Sequence, residues 1–469
     1  MKNNMLRKAA AICMGLVICA GTLAGCQKAQ GPDGSTTTGT AAVSTQSEQT
    51  SAKAEITGKI KYNFWGNADQ LEAINKQLDV FRGENKGIEV EANVADWGTY
   101  WDKLKTESAG GEAPDVFAMS STAWLPYFAI NGFVADLGEY AKKDGFDLGI
   151  YNKAALELNS YDSKQYSLPQ DMNVIVLAYN ADIFAKAGIQ PPDGNWTWDD
   201  LLKAAQLTTL DSSGKNAADP AFDKKNIVQW GITNLANQTD AFVDPLCFSL
   251  GGSLFTLDGK SNLLNEKTQK GIRFLHDLVY KYNVAPDFDT LGGNWNENDL
   301  FAQGKCAMSE LPSYWLFTYA NKEDGIKVNF EAFQLPKGDS GKRYNAVQSK
   351  GISIFAGTKN PDAAWELIKF ITGKETATSV AASGMGLAAI DEVNKDVFMK
   401  DAPGTAATKQ VLLDAFENPC PVPKDPGYGT ANWMVGNDYL YMSVFRNSAY
   451  NAEIFKKADA EVNKVFEEN

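Results

Sequence analysis

Three consecutive segments of the chain read KIKYNFWGN (59–67), DQLEAINKQLDVF (69–81) and GIEVEANVADW (87–97). The first and third segments alternate apolar with polar residues, which indicates strands with one buried face. The second segment changes to the helical period. Strand, helix and strand joined by short connections predict a parallel βαβ unit. A helix-period segment at 99–109 and an apolar run at 114–121 continue the pattern, so we predict an α/β layered domain.

The ends of the three predicted strands combine aromatic rings with short polar side chains. They read Trp65-Gly66-Asn67, Asp96-Trp97 and Ser120-Ser121. Because the carboxyl ends of parallel strands meet at the sheet edge where α/β proteins bind ligands, we expect these residues to converge. A ring can pack against the C–H face of a sugar while short polar groups hold its hydroxyls. We therefore predict a site for a neutral polyol lined by Trp65, Asn67, Trp97 and Ser120. Packing at the core or its rim is the other interpretation of both indoles.

Residues 1–25 are typical of an export signal. A basic start precedes an apolar run, 9–21, that is too short to cross a hydrocarbon core of about 30 Å as a helix. Leu23-Ala24-Gly25-Cys26 resembles the bacterial lipobox, which implies cleavage before Cys26 and its lipidation. Two acyl chains hold a protein stably at a membrane, whereas one chain binds marginally. Residues 27–55 are rich in Ser and Thr and contain no aromatic residue, so we expect a lipidated cysteine and a disordered tether at 26–55.

Composition limits the function of the remaining part of the chain. The formal net charge of −14 argues against nucleic-acid binding, because a polyanion would be repelled. Cys247, Cys306 and Cys420 have no close spacing, so we expect no zinc site and at most one disulfide. The single histidine, His276, lies on a predicted amphipathic helix, where we expect it at the surface. Any histidine-dependent nucleophile would have to rely on that one residue.

Four longer segments occur together in a familiar order. They are GEAPDVFAMSS (111–121), the stretch from Tyr166 to Ala205, FAQGKCAMSELPSYWL (301–316) and the stretch from Gly351 to Gly384. As an ordered set behind a lipobox they resemble the extracellular sugar-binding proteins of ABC importers, the maltose-binding-protein-like family 1. The resemblance covers most of 59–389.

This resemblance implies an α/β, two-lobed, periplasmic-binding-protein-like fold of type II. Each lobe would be an α/β sandwich, and hinge crossings would join the lobes with the ligand cleft between them. The implied crossings lie near Pro169–Met172, Ser349–Gly351 and Asp401–Thr405. We expect an N-terminal lobe of residues 56–169 plus 351–402 and a C-terminal lobe of residues 171–349 plus 404–469. Closure would occur by hinge bending.

The resemblance also adds site residues. Asp171, beside the first crossing, is similar to a carboxylate that accepts hydrogen bonds from sugar hydroxyls in relatives; capping a turn at the hinge is the alternative. The segment ELPSYW (310–315) corresponds to one that commonly supplies a stacking ring, which adds Glu310, Tyr314 and Trp315; for Glu310 the alternative is a hydrogen-bonded group that supports the site without touching the ligand. GTANWMVG (429–436) suggests Trp433, and GGNWNENDL (292–300) adds Trp295, for which packing at the start of a helix is the alternative.

The expected function is that of a receptor. We expect a carbohydrate ligand, an oligosaccharide because aromatic residues are numerous, and ABC transporter permease subunits as partners. The protein would be a monomer anchored by lipid to the outer face of a cell membrane, with a Gram-positive-type surface expected and a Gram-negative envelope as the alternative. We expect no catalysis, no metal and no cofactor.

Two other interpretations stay open from the sequence. Glycoside hydrolases also combine aromatic rings with paired carboxylates, and 58 acidic residues leave such a pair available. A lipoprotein receptor for a polyamine, a peptide or a metal chelate would use the same architecture. Neither the identity of the sugar nor its length and linkage can be read from the residues.

Overall fold

The computed structural model describes residues 56–233, 235, 239–291, 297–320 and 328–468, and only the backbone of 297–299. The export signal, Cys26, the tether and Trp295 lie outside the described residues. Glu55–Asn469 forms one compact unit, which contains the strands and helices of the described residues. None of the helices in this part of the chain combines the length and the apolar character that a bilayer span needs.

The strands within the described residues follow in chain order. They are β1 (Gly58–Trp65), β2 (Ile88–Ala95), β3 (Val116–Ser120), β4 (Ser160–Tyr161), β5 (Lys164–Gln165), β6 (Leu168–Pro169), β7 (Asp171–Asn180), β8 (Leu210–Asp211), β9 (Ile227–Gln229), β10 (Phe255–Thr256), β11 (Lys260–Ser261), β12 (Met308–Pro312), β13 (Phe330–Phe333), β14 (Ala346–Gln348), β15 (Lys350–Ile354) and β16 (Leu387–Ala388).

The helices lie between these strands and after them. They are α1 (Ala68–Glu84), α2 (Trp97–Gly110), α3 (Leu125–Ile130), α4 (Leu137–Asp144), α5 (Lys153–Leu158), α6 (Ala181–Ala187), α7 (Trp198–Thr208), α8 (Asp244–Leu250), α9 (Glu266–Tyr280), α10 (Glu297–Ala302), α11 (Leu316–Ala320), α12 (Pro361–Ile371), α13 (Lys374–Ser383), α14 (Asp391–Val393), α15 (Met399–Asp401), α16 (Ala406–Asp414), α17 (Tyr428–Met434) and α18 (Ile454–Glu468). Short 3₁₀ turns and π-helical segments, the longest at Val435–Phe445, connect some of them.

Five strands form the first sheet in the order β2-β1-β3-β15-β6. β1 pairs in parallel with both β2 and β3, which confirms the parallel arrangement predicted from the alternating pattern. β15 is antiparallel to β3, and β6 is antiparallel to β15. Asn67 and Asp96 begin α1 and α2, since their side chains accept hydrogen bonds from backbone N–H groups three residues later.

β7 is the central strand of the second sheet. It pairs antiparallel with β12, β13, β14 and β16. Its residues from Val174 to Asn180 are all buried, which explains the unbroken apolar run in the sequence.

The chain changes sheets at two single residues. Gln170 separates β6 from β7, and Ser349 separates β14 from β15. The Gln170 backbone N–H donates to the Lys350 carbonyl at 2.8 Å, and Ser349 Oγ donates to the Asp171 carbonyl at 2.7 Å. The two crossings therefore run side by side and hydrogen-bond to each other.

Further along the chain, α12 packs on β1 and β15 of the first sheet, whereas α16 packs on β13 of the second. Thr408 of α16 accepts a hydrogen bond from the Ala332 backbone N–H at 3.0 Å. The lobe bounds expected from the resemblance remain a prediction.

Buried apolar side chains of the described residues form three clusters. The largest includes Ile60 and Val116 of the first sheet, Val176 and Leu311 of the second, and Leu387 of β16. The other two clusters lie beside β3 and α2 and beside β7, α8 and α9. β3 and most of β7 are therefore buried on both faces, whereas β1 and β2 each bury one face and leave residues of the other exposed.

One local prediction is wrong, the surface position of His276. His276 is 3% exposed, and its Nε2 lies 2.9 Å from the Asn447 carbonyl oxygen, because the C-terminal segment covers that face of α9. The periodicity of one helix does not reveal which distant segment packs on it.

Candidate functional site

The two indoles predicted from the strand ends lie together at the carboxyl edge of the first sheet. The register pairs Trp65 with Ala95 across β1 and β2, so Trp97 follows directly at the same edge. The ring centroids of Trp65 and Trp97 are 5.1 Å apart in an edge-to-face arrangement. Trp65 is half-buried against the rings of Tyr100 and Trp101, and Trp97 is 38% exposed. A rigid inner ring thus supports an outer ring that faces solvent.

The short polar groups at this edge also serve the local backbone. Asn67 Oδ1 accepts a hydrogen bond from the Gln70 backbone N–H at 3.0 Å, and the Gln70 side chain accepts one from the Asn67 backbone N–H. Ser120 Oγ accepts from the Ala123 backbone N–H at 3.4 Å. The capping bond occupies Asn67 Oδ1, so a ligand contact by Asn67 would use its amide N–H groups.

Lys350 belongs to this edge and was missed from the sequence. It pairs with Ser120 in the sheet, and its Nζ lies 5.1 Å from the Trp65 ring centroid and 5.4 Å from that of Phe64. Burial lowers the pKa of the Lys350 ammonium, and the charge of Asp171 acts in the opposite direction. No carboxylate of the described residues lies within ion-pair distance of Nζ. An ammonium in this position can donate hydrogen bonds to a ligand oxygen.

Asp171 links the crossings. Its Oδ1 accepts hydrogen bonds from the Lys350 backbone N–H at 3.1 Å and from Asn173 Nδ2 at 2.9 Å. Burial raises the pKa of the Asp171 carboxyl, and the charge of Lys350 partly offsets that rise. The two hydrogen bonds to Oδ1 agree with the interpretation of Asp171 as a cap at the crossing. Oδ2 accepts no hydrogen bond from the described residues.

A short hydrogen-bond chain joins this point to the predicted residues of the second sheet. Ser313 Oγ donates to Asn173 Oδ1 at 3.1 Å, directly after the end of β12. Tyr314 and Trp315 follow, both half-buried, with ring centroids 5.8 Å apart. Tyr314 and Trp315, the aromatic pair of the second sheet, therefore follow a residue that is hydrogen-bonded to the chain crossing beside Asp171, at the carboxyl edge of the first sheet.

Glu310 occupies a different position from the one expected of a ligand contact. It is 1% exposed, and its Oε2 has no hydrogen-bond partner among the described residues. Burial raises the pKa of its carboxyl to about 8, so the group is mostly protonated at neutral pH. Burial raises the pKa of Tyr314, and the charge of Glu310 adds to that rise. Glu310 is a buried acid four residues before Tyr314 in the chain.

Trp433 is 56% exposed on α17. One turn earlier on the same face, Gly429 touches the loop after β3, since a Cβ at Gly429 would lie 2.2 Å from the Ala123 carbonyl oxygen. Residues four apart share a helix face, so Trp433 lies on the side of α17 that meets the first sheet's carboxyl edge. Trp295, the remaining predicted ring, lies outside the described residues.

A small pocket connects these elements. Thr122 follows β3, Gln348 ends β14, and Tyr428 begins α17; with Asp240, Asp244 and apolar side chains such as Val347 they line a space of about one water molecule. Gln348 Nε2 donates to Asp240 Oδ2 at 2.8 Å, and the Leu254 backbone N–H donates to Asp244 Oδ1 at 2.7 Å.

Burial raises the pKa of both pocket carboxyls, that of Asp244 to about 7. The sequence did not single out these acids, because their neighbours are contributed by segments up to about 190 residues away.

The three cysteines of the described residues form no disulfide with one another. Cys247 and Cys306 are buried and Cys420 is half-buried, so the pairing that the sequence left open is absent among them. Within the described residues, no group of three or more His, Cys, Asp or Glu side chains could hold a metal ion.

Two α/β sheets joined by adjacent crossings, with aromatic rings on both sides, define the class of two-lobed periplasmic solute-binding proteins. The structure of an ABC substrate-binding protein from Listeria monocytogenes in complex with cycloalternan is similar, with a TM-score of 0.73 at 22% identity. The similarity covers 87% of this chain and 98% of that chain, and it shows the fold.

The sequence comparisons identify the family. The family model described as bacterial extracellular solute-binding protein matches residues 65–378, and the chain belongs to this family. A putative binding protein of Brucella abortus is 25% identical over 336 residues, which cover 71% of this chain and 77% of that protein. A galactooligosaccharide-binding protein of Bacillus subtilis is 23% identical over 385 residues, which cover 80% of this chain and 82% of that protein.

Proposed function

We propose that this protein is a membrane-tethered extracellular receptor that binds an oligosaccharide and delivers it to an ABC importer by closing two lobes over the sugar. The similar proteins from Listeria, Brucella and Bacillus are binding proteins, and two of them are named for, or were solved with, oligosaccharides. Membership of the solute-binding family supports a receptor rather than an enzyme.

The observation that carries the proposal is the placement of the rings. Trp65 and Trp97 lie at the carboxyl edge of the first sheet, and Tyr314 and Trp315 begin at the crossing on the side of the second. Trp433 is exposed on a helix face that meets the same edge. Rings on opposite walls suit the two C–H faces of a sugar, while Lys350 and Asp171 supply a donor and an acceptor for its hydroxyls.

Closure is expected from the connection between the sheets. Single residues, Gln170 and Ser349, separate strands that belong to different sheets, so a small backbone rotation there would move one lobe against the other. A ligand that contacts both walls binds the closed form more tightly than the open form, and this difference in affinity drives closure. The importer would then bind the closed form.

The tether is inferred from the sequence. The lipobox-like Leu23-Ala24-Gly25-Cys26 would supply the anchor, and the Ser/Thr-rich segment up to residue 55 would set its reach. A flexible chain of about 30 residues would have an r.m.s. span of roughly 30 Å. The receptor would therefore stay within reach of a permease in the same membrane.

A second class of ligand is favoured by one observation. Asp244 and Glu310 are buried acids and Asp240 is a half-buried one on the side of the second sheet, and no basic side chain of the described residues pairs with them within 4.0 Å. A polyamine would bring cations to such a group. Spermidine therefore belongs in the same screen as the sugars.

The test is a thermal-shift screen of the Glu55–Asn469 unit against monosaccharides, neutral oligosaccharides and spermidine. Selective binding to the native state raises the melting temperature by mass action. The proposal predicts a shift with an oligosaccharide and a smaller one, or none, with its monosaccharide. A shift with spermidine alone would replace the sugar with a cationic ligand, and release of shortened products from an oligosaccharide would identify an enzyme.

A further inference from the structure

The loop after β3 and the start of α17 touch without room for a side chain. A Cβ added to Gly429 would lie 2.2 Å from the Ala123 carbonyl oxygen and 3.1 Å from Cδ2 of the Trp124 ring. Real Cβ atoms do not approach a carbonyl oxygen so closely, so any larger residue at 429 would push the two segments apart. The contact depends on glycine for steric reasons.

The first-lobe side of this contact is held firmly. Trp124 is 8% exposed, and its ring stacks on Trp101 with centroids 5.6 Å apart. Lys105 Nζ lies 4.5 Å from the centroid of the Trp124 ring. Because the ring is fixed from two sides, it cannot turn away to make room for a new side chain at 429.

A second bridge lies near the first. Lys424 Nζ donates hydrogen bonds to the carbonyl oxygens of Glu157 and Ser160, at 3.1 and 3.3 Å. Residues 157 and 160 precede β6 of the first sheet, whereas residue 424 leads into α17, which packs in the core beside the second sheet. Two contacts, made by different segments on the side of the first sheet, therefore reach the chain at and just before α17.

We propose that Gly429 and Lys424 form a lip contact that stabilises the closed arrangement of the two lobes and so sets ligand affinity without touching the ligand. The proposal rests on the proposed function, because it assumes that binding requires closure. The apparent dissociation constant of a ligand increases as the fraction of the binding-competent form falls. Loss of the lip contact would therefore weaken binding from outside the ligand site.

Gly429→Ala separates this effect from misfolding. Position 429 lies inside α17, where alanine has a higher helix propensity than glycine, so the ligand-free variant should melt at the same temperature or higher. Lys424→Met is a second variant, outside α17, that keeps the length of the side chain and removes only its donors. Thr430→Ala is the matched control, since Thr430 is exposed on the neighbouring position of the same helix.

The experiment uses the Glu55–Asn469 unit, in which all described contacts lie. Calorimetric titration with the oligosaccharide found in the screen measures affinity, and small-angle X-ray scattering measures the radius of gyration with and without sugar. We expect Gly429→Ala to bind at least tenfold more weakly and to stay larger than the wild type at saturation. We expect Lys424→Met to lose two- to fivefold in affinity and Thr430→Ala to match the wild type.

Wild-type affinity and wild-type closure in Gly429→Ala would overturn the lip contact. If no oligosaccharide binds the wild type, the proposed function fails, and the lip contact is then judged on the ligand-free radii. A larger radius for Gly429→Ala than for the wild type would still support it, and equal radii would overturn it.

Discussion

Replacing Glu310 with glutamine should change how the stability of the protein depends on pH. The substitution keeps the size of the side chain and removes the ionisable group. Burial without a hydrogen-bond partner for Oε2 raises the pKa of Glu310 from its usual 4.5 to about 8. An acid whose pKa is raised by folding contributes stability below pH 4.5, and that contribution is lost as the pH rises toward 8.

The size of the effect can be worked out from the shift. Each pKa unit corresponds to about 1.4 kcal/mol, so the wild type should lose about 3 kcal/mol relative to Glu310→Gln between pH 5 and pH 8. For a chain of this length we expect a change of about 3–6 °C in the difference between their melting temperatures. The buried amide of Glu310→Gln changes the melting temperature by an amount that does not depend on pH. The dependence of the melting temperature on pH therefore tests the assignment, whereas the melting temperature at a single pH does not.

The assay is a series of melting curves from pH 5 to pH 8.5 in one buffer system. Glu84→Gln, at an exposed position of α1, is the control and should keep the wild-type slope. Some slope should remain in Glu310→Gln, because burial also raises the pKa of Asp244, to about 7. If the melting temperatures of the wild type and Glu310→Gln depended on pH to the same extent, the assignment of Glu310 as a buried acid with a raised pKa would be refuted.

Three further predictions concern the ligand and the anchor. Trp97→Ala and Trp433→Ala should each weaken oligosaccharide binding by about 1–3 kcal/mol, as loss of a stacking platform does elsewhere, without lowering the melting temperature of the free protein. Titration calorimetry measures the affinity. The control Leu257→Ala, at an exposed hairpin position, should bind the oligosaccharide normally. Lys350→Met should weaken binding about tenfold, since it removes a charged donor; unchanged affinity in calorimetry would remove Lys350 from the site. Cys26→Ser should abolish metabolic labelling with palmitate and release the protein from the membrane fraction, whereas retained label would place the lipid elsewhere.

The sequence predicted the first sheet well because its information is local. Strict alternation in β1 and β2 set which residues face the core, and the parallel register then brought Trp65 and Trp97 to one edge. The pattern of apolar and polar residues was sufficient to predict structure that depends on residues close together in the chain.

The remaining features depend on segments far apart in the chain. Lys350 reaches Trp65 only because β15 inserts next to β3, about 230 residues later in the sequence. The environment of Glu310 depends on which side of β12 is covered, and that of His276 depends on the C-terminal segment. Periodicity reports that a face is buried, but it does not report what covers it or whether a polar group there finds a partner.

The most direct test of a sugar held between two aromatic walls is a crystal structure of the Glu55–Asn469 unit with the oligosaccharide found in the screen. It should show sugar rings packed against Trp97 from one side and against Trp315 or Trp433 from the other, with Lys350 and Asp171 within hydrogen-bond distance of hydroxyl groups. A ligand bound away from these rings, or in contact with only one of the two walls, would contradict the account.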